Sequence, residues 1–474
     1  MKDITLKPFV LPSPAPPEGY GNIDPLDGRY FDVETARYLS EQARVTFQAY
    51  VEAALAHTLA QYGICSHKDA EAIEASARKV KTAAVYEEEK STKHDVKALV
   101  NCIKQGTPAY ARPYVHFGAT SYDIVATASA LQMRAAMQEV VIPRLKRLLQ
   151  TLVAITESYA TTVQIGRTHG QHAVPITFGF AVSEYVNRLG ESTVVLELLL
   201  EQLRGKFSGA VGAYNALSMF VDDPLAFEQD VLARVGLEPA PFSTQIVPPE
   251  PTVRLLDELT VTAGIMANLA HDMRHLQRSE IAEVRERFEK GQTGSSTMAH
   301  KRNPWNFENI VSIAKQVTAQ SVNAHLNLSS EHQRDLTDSA SGRFYPIVLA
   351  CVASMADRLN TVMSKLEIDP DAMERNLRLS GGVIAAEPLY LLLTKYGHPS
   401  AHEASKELAH RALEAGTPLH QAIVEDPVLA GYWDRFAEEE QVLLKEPEAR
   451  YTGIAAAKAK ALARHWKRVL RKGP

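Results

Sequence analysis

The sequence predicts an all-α protein, a bundle of long helices with a helical domain at each end. Two observations carry that prediction. Three segments repeat apolar residues in alternating steps of three and four, and no strand-rich region or short internal repeat interrupts them. At 474 residues the chain is long enough for several domains, and at 45% hydrophobic residues it can bury a large core.

Residues 1 to about 28 read as an extended arm, because prolines at 8, 12, 14, 16 and 17 forbid helix. "DPLDG" (Asp24 to Gly28) reads as a turn. From about residue 34 the helical period dominates. Leu145, Leu148, Leu152, Ile155 and Tyr159 form the first stripe. Val182, Val186, Leu189, Thr193, Leu196, Leu200 and Leu203 form the second, and Leu255, Leu259, Thr262, Met266, Leu269, Met273 and Leu276 the third. Stripes of that length imply helices of about 30 Å or more, packed nearly parallel. Helices this apolar need partners on more than one side, so the bundle is expected to self-associate. Polar and glycine-rich punctuation near 118–123 and 369–382 divides the chain into 1–120, an N-terminal helical domain with its arm; 121–367, the long-helix bundle; and 368–474, a C-terminal helical domain.

Lys and Arg number 51 against 56 Asp and Glu, interspersed, for a net charge of −5, so nothing suggests a nucleic-acid partner. The basic run "RHWKRVLRK" (Arg464 to Lys472) reads as a solvated helix face. Cys65, Cys102 and Cys351 are odd in number and far apart, which points to a reducing compartment without disulfides. The N-terminus has no apolar signal region, and "YPIVLACVASMA" (Tyr345 to Ala356) is too short to span a bilayer. A cytoplasmic protein with no membrane partner is expected.

"GQTGSSTMAHKRNP" (Gly291 to Pro304) carries the densest chemistry. Its glycines release the backbone, Ser295, Ser296 and Thr297 supply hydroxyls, and Lys301 and Arg302 supply positive charge for an anionic ligand. Asn303 and Pro304 suit the N-cap and first position of a following helix. A loop of this composition is also a common flexible linker. "RDLTDSASGR" (Arg334 to Arg343) places Ser339 and Arg343 four apart, on one face if a helix begins near Thr337 or Asp338, with Arg334 just before it. Two arginines and a hydroxyl near a helix N-terminus make a phosphate site; the plain alternative is an Arg334–Asp338 surface pair. "HDMRH" (His271 to His275) lacks a third ligand, and no phosphate-binding or dinucleotide glycine loop is present, so no metal and no cofactor are expected.

"GSSTMAHKRNP" resembles the GSSxMPxKxNP signature of the aspartase/fumarase superfamily, with Ala299 at the usual proline. "GRTHGQHAVPITFG" (Gly166 to Gly179) is similar to the THGQPA block of the adenylosuccinate lyase family, with His172 at the proline. "HFGATSYD" (His116 to Asp123) resembles that family's H(F/Y)GxTSxD block, with Tyr122 replacing a small residue. "DPLDGRY", "KHDVKA", "QRDLTDS" and "GHPSAHE" extend the resemblance over roughly residues 21 to 455. It implies the aspartase/fumarase type of bundle and a cofactor-free β-elimination that releases fumarate from a succinyl-nucleotide in purine and AMP biosynthesis. It further implies a homotetramer whose active sites are shared between subunits.

By the same resemblance Ser295 is the base, His169 the general acid and Glu308 its carboxylate partner. Lys301 and Asn303 grip the succinyl carboxylates. His94, Asp95, His116, Thr120, Ser121 and Gln245 contact substrate, and Arg29, Tyr30, Arg334, Ser339 and Arg343 bind the phosphate. A hydroxyl is a poor base, so the loop must favour its alkoxide, and histidine suits the acid because it titrates near neutral pH. The departures at Ala299, His172 and Tyr122 leave room for a carboxymuconate cycloisomerase or an argininosuccinate lyase. An inactive helical scaffold is the alternative outside enzymes.

Overall fold

Each of the three apolar stripes is buried along a helix of the computed structural model, which describes residues 5–15, 22–288, 297, 298 and 300–472. The helices are Ile142–Ser158, Phe178–Leu200 and Glu250–Leu276, joined by Trp305–Leu326 and Tyr345–Ser364. Only the stripe ends, Tyr159 and Leu276, are half-buried. Contacts divide the chain into two units. Unit 1 is Met1–Leu145, Ser192–Gly264 and Ser312–Asp357; unit 2 is Lys146–Glu191, Ile265–Val311 and Arg358–Pro474.

Polar side chains key the long helices to one another. In unit 1 the Ser192 hydroxyl meets Glu258 and Thr262, and Ser321 Oγ donates to Asp257 at 3.0 Å. In unit 2 Tyr185 donates to Asp272, Arg188 Nη1 to Asn268 at 2.8 Å, and Thr151 to Asn360 at 2.7 Å. Buried hydroxyls and amides cost free energy when left unpaired, so these pairs fix one register among several the apolar stripes would tolerate.

Unit 1 also holds the helices Glu41–Gln61, Asp95–Gly106 and Ser121–Ala136. Alanines 43, 49, 53, 54, 56 and 60 of Glu41–Gln61 are buried, and their small side chains let neighbours approach from several sides. The described arm residues follow no regular secondary structure, as the prolines require. The arm is strapped down by Leu6 N donating to Arg234 O at 3.0 Å, the Tyr50 hydroxyl donating to Leu6 O at 2.9 Å, and Arg78 over the Phe9 ring at 4.2 Å. The Asp24–Gly28 turn is present as a short 3-10 turn, Pro25–Asp27, capped by the Asp24 carboxylate on Leu26 N at 2.9 Å.

Unit 2 contains an antiparallel hairpin that helical periodicity gave no sign of. Val163–Thr168 pairs with Gln171–Thr177, in register from Val163↔Thr177 to Thr168↔Gln171 with a shift between Ile165 and Arg167. Its two-residue loop is His169-Gly170, with φ of 53° and 74°. Positive φ at both positions makes a primed turn, whose twist matches that of the strands. A second short pair joins Val284–Arg285 to Glu367–Ile368. Near the C-terminus Leu389, Leu393, Leu408, Ile423, Trp433, Phe436 and Leu444 form their own buried cluster.

One sequence reading of the segment from Arg334 to Ser364 needs correction, and the other gains a longer context. Ser341–Ser364, a 3-10 turn running into Tyr345–Ser364, is a 24-residue span long and apolar enough to cross a membrane by length and composition. The apolar run Tyr345 to Ala356 alone is too short for that. Of that helix, Val348, Leu349, Val352, Ala353, Met355 and Leu359 are buried within the protein. No helix starts near Thr337 or Asp338 either: 337–340 are turns and the 3-10 segment Ser341–Phe344 follows. Asp335 explains the delay. Its carboxylate accepts from Thr337 N at 2.8 Å, Thr337 Oγ1 at 2.6 Å and Glu331 N at 2.8 Å, local bonds that compete with the helix. Those bonds, led by the Thr337 hydroxyl, hold its pKa at about 2.

Candidate active site

A cavity of 1150 Å³ in unit 1 gathers many of the expected binding residues. Tyr30, His94, Asp95, Thr120, Ser121, Gln245, Ser339 and Arg343 all line it. They arrive from the N-terminal turn, from the starts of the helices Asp95–Gly106 and Ser121–Ala136, and from the connections before Glu250–Leu276 and Tyr345–Ser364. Helix starts expose unpaired backbone N–H groups and a positive dipole end, which favour anionic ligands.

His94 caps the Asp95–Gly106 helix, its Nδ1 accepting from Lys97 N at 3.3 Å. That bond needs Nδ1 unprotonated, which leaves the proton on Nε2, 3.4 Å from Ser121 Oγ. Thr120 is fixed by Asp123, whose Oδ2 accepts from Thr120 N at 2.8 Å. Asp123 is in turn ion-paired with Lys206, both fully buried, and its Oδ1 accepts from Gly209 N at 3.2 Å. Lys206 Nζ also donates to Gly209 O at 3.1 Å. The pair ties the helix start carrying Thr120 and Ser121 to the loop after Gly205.

A web of charge crosses the lining. Asp95 Oδ2 lies 3.2 Å from Arg343 Nη2 and 3.6 Å from Arg44 Nη1. Arg44 Nε donates to Glu41 Oε2 at 2.8 Å, and that oxygen also accepts from the Tyr86 hydroxyl at 2.5 Å. Burial works against the Arg44 cation, but the Glu41 carboxylate outweighs it and pushes the pKa up. Glu41 and Arg44 line the cavity although no motif marks them. They sit in an ordinary stretch of helix, and only the proximity of Asp95 in space reveals them.

Arg334 is buried, its side chain 2% exposed, and forms the i, i+4 pair with Asp338 at 2.8 Å. The arginine end of the pair is therefore interior, while the Asp338 side chain is 35% exposed. The Tyr122 ring lies 3.4 Å from the guanidinium and the Tyr122 hydroxyl accepts from Nη2 at 2.5 Å. His116, Arg29 and Arg334 are not among the cavity's lining residues, although Tyr122 and Asp338, which hold Arg334, are. Arg29 is exposed just after the Pro25–Asp27 turn. His116, at a positive φ of 63°, has Nδ1 2.7 Å from Oε1 of the fully buried Glu52. Burial lowers the imidazole pKa, but the Glu52 carboxylate more than offsets it, and the net shift is upward.

Unit 2 holds the other expected residues. His169 stands exposed at the hairpin tip. Beneath it the hairpin is anchored to the fully buried Glu283, which accepts from Arg167 Nη2 at 2.6 Å, Gln164 Nε2 at 2.7 Å and Asn376 Nδ2 at 2.9 Å. His172 faces Ser380 Oγ at 3.0 Å, and burial together with Arg167 lowers its pKa. Lys301 and Glu308 are exposed and Asn303 is half-buried. Among the described residues no hydrogen bond joins His169 to Glu308. Ser295 lies outside the described residues, as do Gly291, Gly294, Ser296 and Ala299.

The helix after "KRNP" begins at Trp305 rather than Pro304, and a distant side chain caps it. Glu286 accepts from Phe307 N at 3.0 Å and from Asn306 Nδ2 at 2.7 Å. Burial raises its carboxyl above the usual range. Asn303 was expected to serve as this cap; sequence spacing does not reveal a partner twenty residues upstream.

The lyase family model matches residues 27–319, and the adenylosuccinate lyase C-terminal model matches residues 330–438. Adenylosuccinate lyase of Archaeoglobus fulgidus is 34% identical over 456 residues, spanning 95% of this chain and 100% of the relative. The Methanocaldococcus jannaschii enzyme of the same name is 33% identical, spanning 91% and 94%. Among solved structures, 3-carboxy-cis,cis-muconate lactonizing enzyme from Pseudomonas putida superposes with a TM-score of 0.82 at 26% identity, over 94% of this chain and 99% of that one. A fumarate lyase from Mesorhizobium sp. BNC1 superposes with a TM-score of 0.81 at 23% identity and the same coverage, which shows a shared all-α fold. Matched by both models and by full-length relatives, the chain belongs to the adenylosuccinate lyase family of lyases.

Proposed function

We propose that the protein eliminates fumarate from adenylosuccinate to leave AMP, and from the succinyl-carboxamide imidazole ribotide by the same chemistry. The observation that carries this reading is the full-length similarity to adenylosuccinate lyases, joined to a cavity lined by Tyr30, His94, Asp95, Thr120, Ser121, Gln245, Ser339 and Arg343 of the family motifs. The muconate-lactonizing neighbour shares the bundle, but the C-terminal match is to adenylosuccinate lyase.

In the proposed reaction Ser295 takes the Cβ proton of the succinyl group. The electron pair moves to form the fumarate double bond as the C–N bond breaks. His169 protonates the departing N6, and Glu308 supports the imidazolium. Lys301 and Asn303 hold the carboxylates, one of which takes up negative charge. His94, Asp95, His116, Thr120, Ser121 and Gln245 orient the base and ribose, while Arg29, Tyr30, Arg334, Ser339 and Arg343 hold the phosphate. No cofactor enters the scheme. The division into 1–120, 121–367 and 368–474 belongs to the same reading, as does a cytoplasmic location.

The working form is proposed to be a homotetramer with shared sites. Val194, Val195, Leu198, Val261, Val322 and Leu326 are exposed apolar residues on three of the long helices, a composition suited to burial against another copy. The test is fumarate release from adenylosuccinate, with argininosuccinate as comparison. Ser295→Ala is expected nearly to abolish turnover while substrate binding stays within a few-fold, because it removes a transition-state role. Turnover near wild type in that variant would remove Ser295 from the mechanism; release only from argininosuccinate would remove the substrate.

A further inference from the structure

Tyr122 is a bulky ring at a position where the family block carries a small residue, and it lines the cavity. Its partner is Arg334, whose donors can be accounted for one by one. Nε donates to Asp335 O at 2.6 Å, and Nη2 donates to Asp338 Oδ1 at 2.8 Å and to the Tyr122 hydroxyl at 2.5 Å. A guanidinium carries five N–H donors, and these bonds use three. Both that remain are on Nη1, which is buried and has no hydrogen-bond partner among the described residues. The Tyr122 ring packs against the same guanidinium, its centroid 3.4 Å from the guanidinium carbon.

We propose that Tyr122 is a positioning residue that holds Arg334 with its Nη1 donors turned to an anionic phosphate, and so sets the preference for phosphorylated ligands. This rests on the nucleotide reading given above. An arginine side chain has many rotamers, and a site that must order it on binding loses affinity. Here the stack, the hydroxyl and Asp338 order it beforehand. Asp338 alone would attract the guanidinium without fixing its orientation; the ring contact and the hydroxyl bond together restrict it. Two donors on one buried nitrogen, with no acceptor assigned, match two oxygens of a phosphate.

The test compares binding of AMP and adenosine by titration calorimetry in the intact protein, with Tyr122→Phe, Tyr122→Leu and Arg334→Ala. Tyr122→Phe keeps the stack and loses the acceptor; Tyr122→Leu loses both. AMP affinity is expected to fall about 2- to 10-fold in Tyr122→Phe, the usual worth of one hydrogen bond. It should fall further in Tyr122→Leu, by up to about 30-fold for the stack. Adenosine affinity should stay at the wild-type value throughout, which also shows that each variant is folded. With adenylosuccinate as substrate, KM should rise and kcat at saturation should hold.

If Arg334→Ala weakens AMP while both Tyr122 variants bind it as wild type does, Tyr122 does not position Arg334. The proposal also fails if wild type binds AMP and adenosine equally, or if kcat falls with KM unchanged. Fumarate release by wild type is followed in parallel. Its absence would remove the proposed reaction, while the AMP and adenosine affinities would still decide the role of Tyr122.

Discussion

Arg343 and Arg334 sit in different electrostatic settings although one motif carries both. Arg343 is half-exposed and bound to Asp95; Arg334 is buried and stacked. Replacing either by alanine is expected to weaken ribotide binding by about 1.5–3 kcal/mol, the range for hydrogen bonds to charged groups. A dephosphorylated substrate should be insensitive to both changes, and equal losses for both substrates would show that neither reads phosphate. His116 gives a pH prediction. Its folded pKa is raised above the ordinary 6.5, so the stabilisation from Glu52 is fully present below that value and is lost as pH rises through the folded one. Asp123 adds to the shift and Lys104 opposes it. Glu52→Gln should therefore destabilise the protein most below about pH 6.5, by about 1.5–3 kcal/mol, and least once the pH has passed the raised folded-state value. Urea unfolding across pH measures this, and a gap that widens with pH would contradict the pairing. At this scale the sequence was legible where partners lie close in the chain. The Arg334–Asp338 spacing announced its pair, whereas Tyr122 lies 212 positions away and Arg44 has no motif around it.

Helices were readable because their signal is local. Three stripes of alternating three- and four-residue steps sufficed to locate Ile142–Ser158, Phe178–Leu200 and Glu250–Leu276. The Val163–Thr177 hairpin was not readable for the opposite reason. Its strands are short, Pro175 and a register shift break their alternation, and its anchor is Glu283, more than a hundred residues away. A T-H-G-Q loop does carry a turn signal, since histidine tolerates positive φ better than most residues and glycine does so freely. The start of Ser121–Ala136 makes an element-scale prediction. Lys206→Met leaves the Asp123 charge buried and unpaired, and should cost about 3–5 kcal/mol, read as a fall in the urea midpoint. For an isolated pair, replacing both partners by apolar residues would recover most of that loss. Asp123 also accepts from Thr120 N and Gly209 N, so Lys206→Met with Asp123→Leu leaves two backbone donors without that acceptor. Full recovery in the double variant would show that those backbone bonds carry little.

Assembly is where the proposed chemistry depends on the whole molecule. The exposed valines and leucines of three long helices suit burial against another copy, and the family resemblance implies a tetramer in which His169, His94 and the loop bearing Ser295 reach each site from different subunits. A monomer would then hold every residue of the mechanism and yet no complete site, so oligomerisation and turnover would be coupled. His169→Ala and Ser295→Ala proteins are each expected to be inactive alone. When the two are dissociated, mixed equally and reassociated, each site draws its histidine and its serine from separate chains. Half of the chains carry an intact His169 and half an intact Ser295, so random assembly leaves roughly a quarter of sites with both. Activity near a quarter of wild type is therefore expected, appearing only after reassociation and scaling with the product of the two fractions. If both residues of a site came from one chain, every site in every mixture would lack one of them. Mixed tetramers that form and remain inactive would thus exclude the shared site, whatever the activity of the wild-type enzyme.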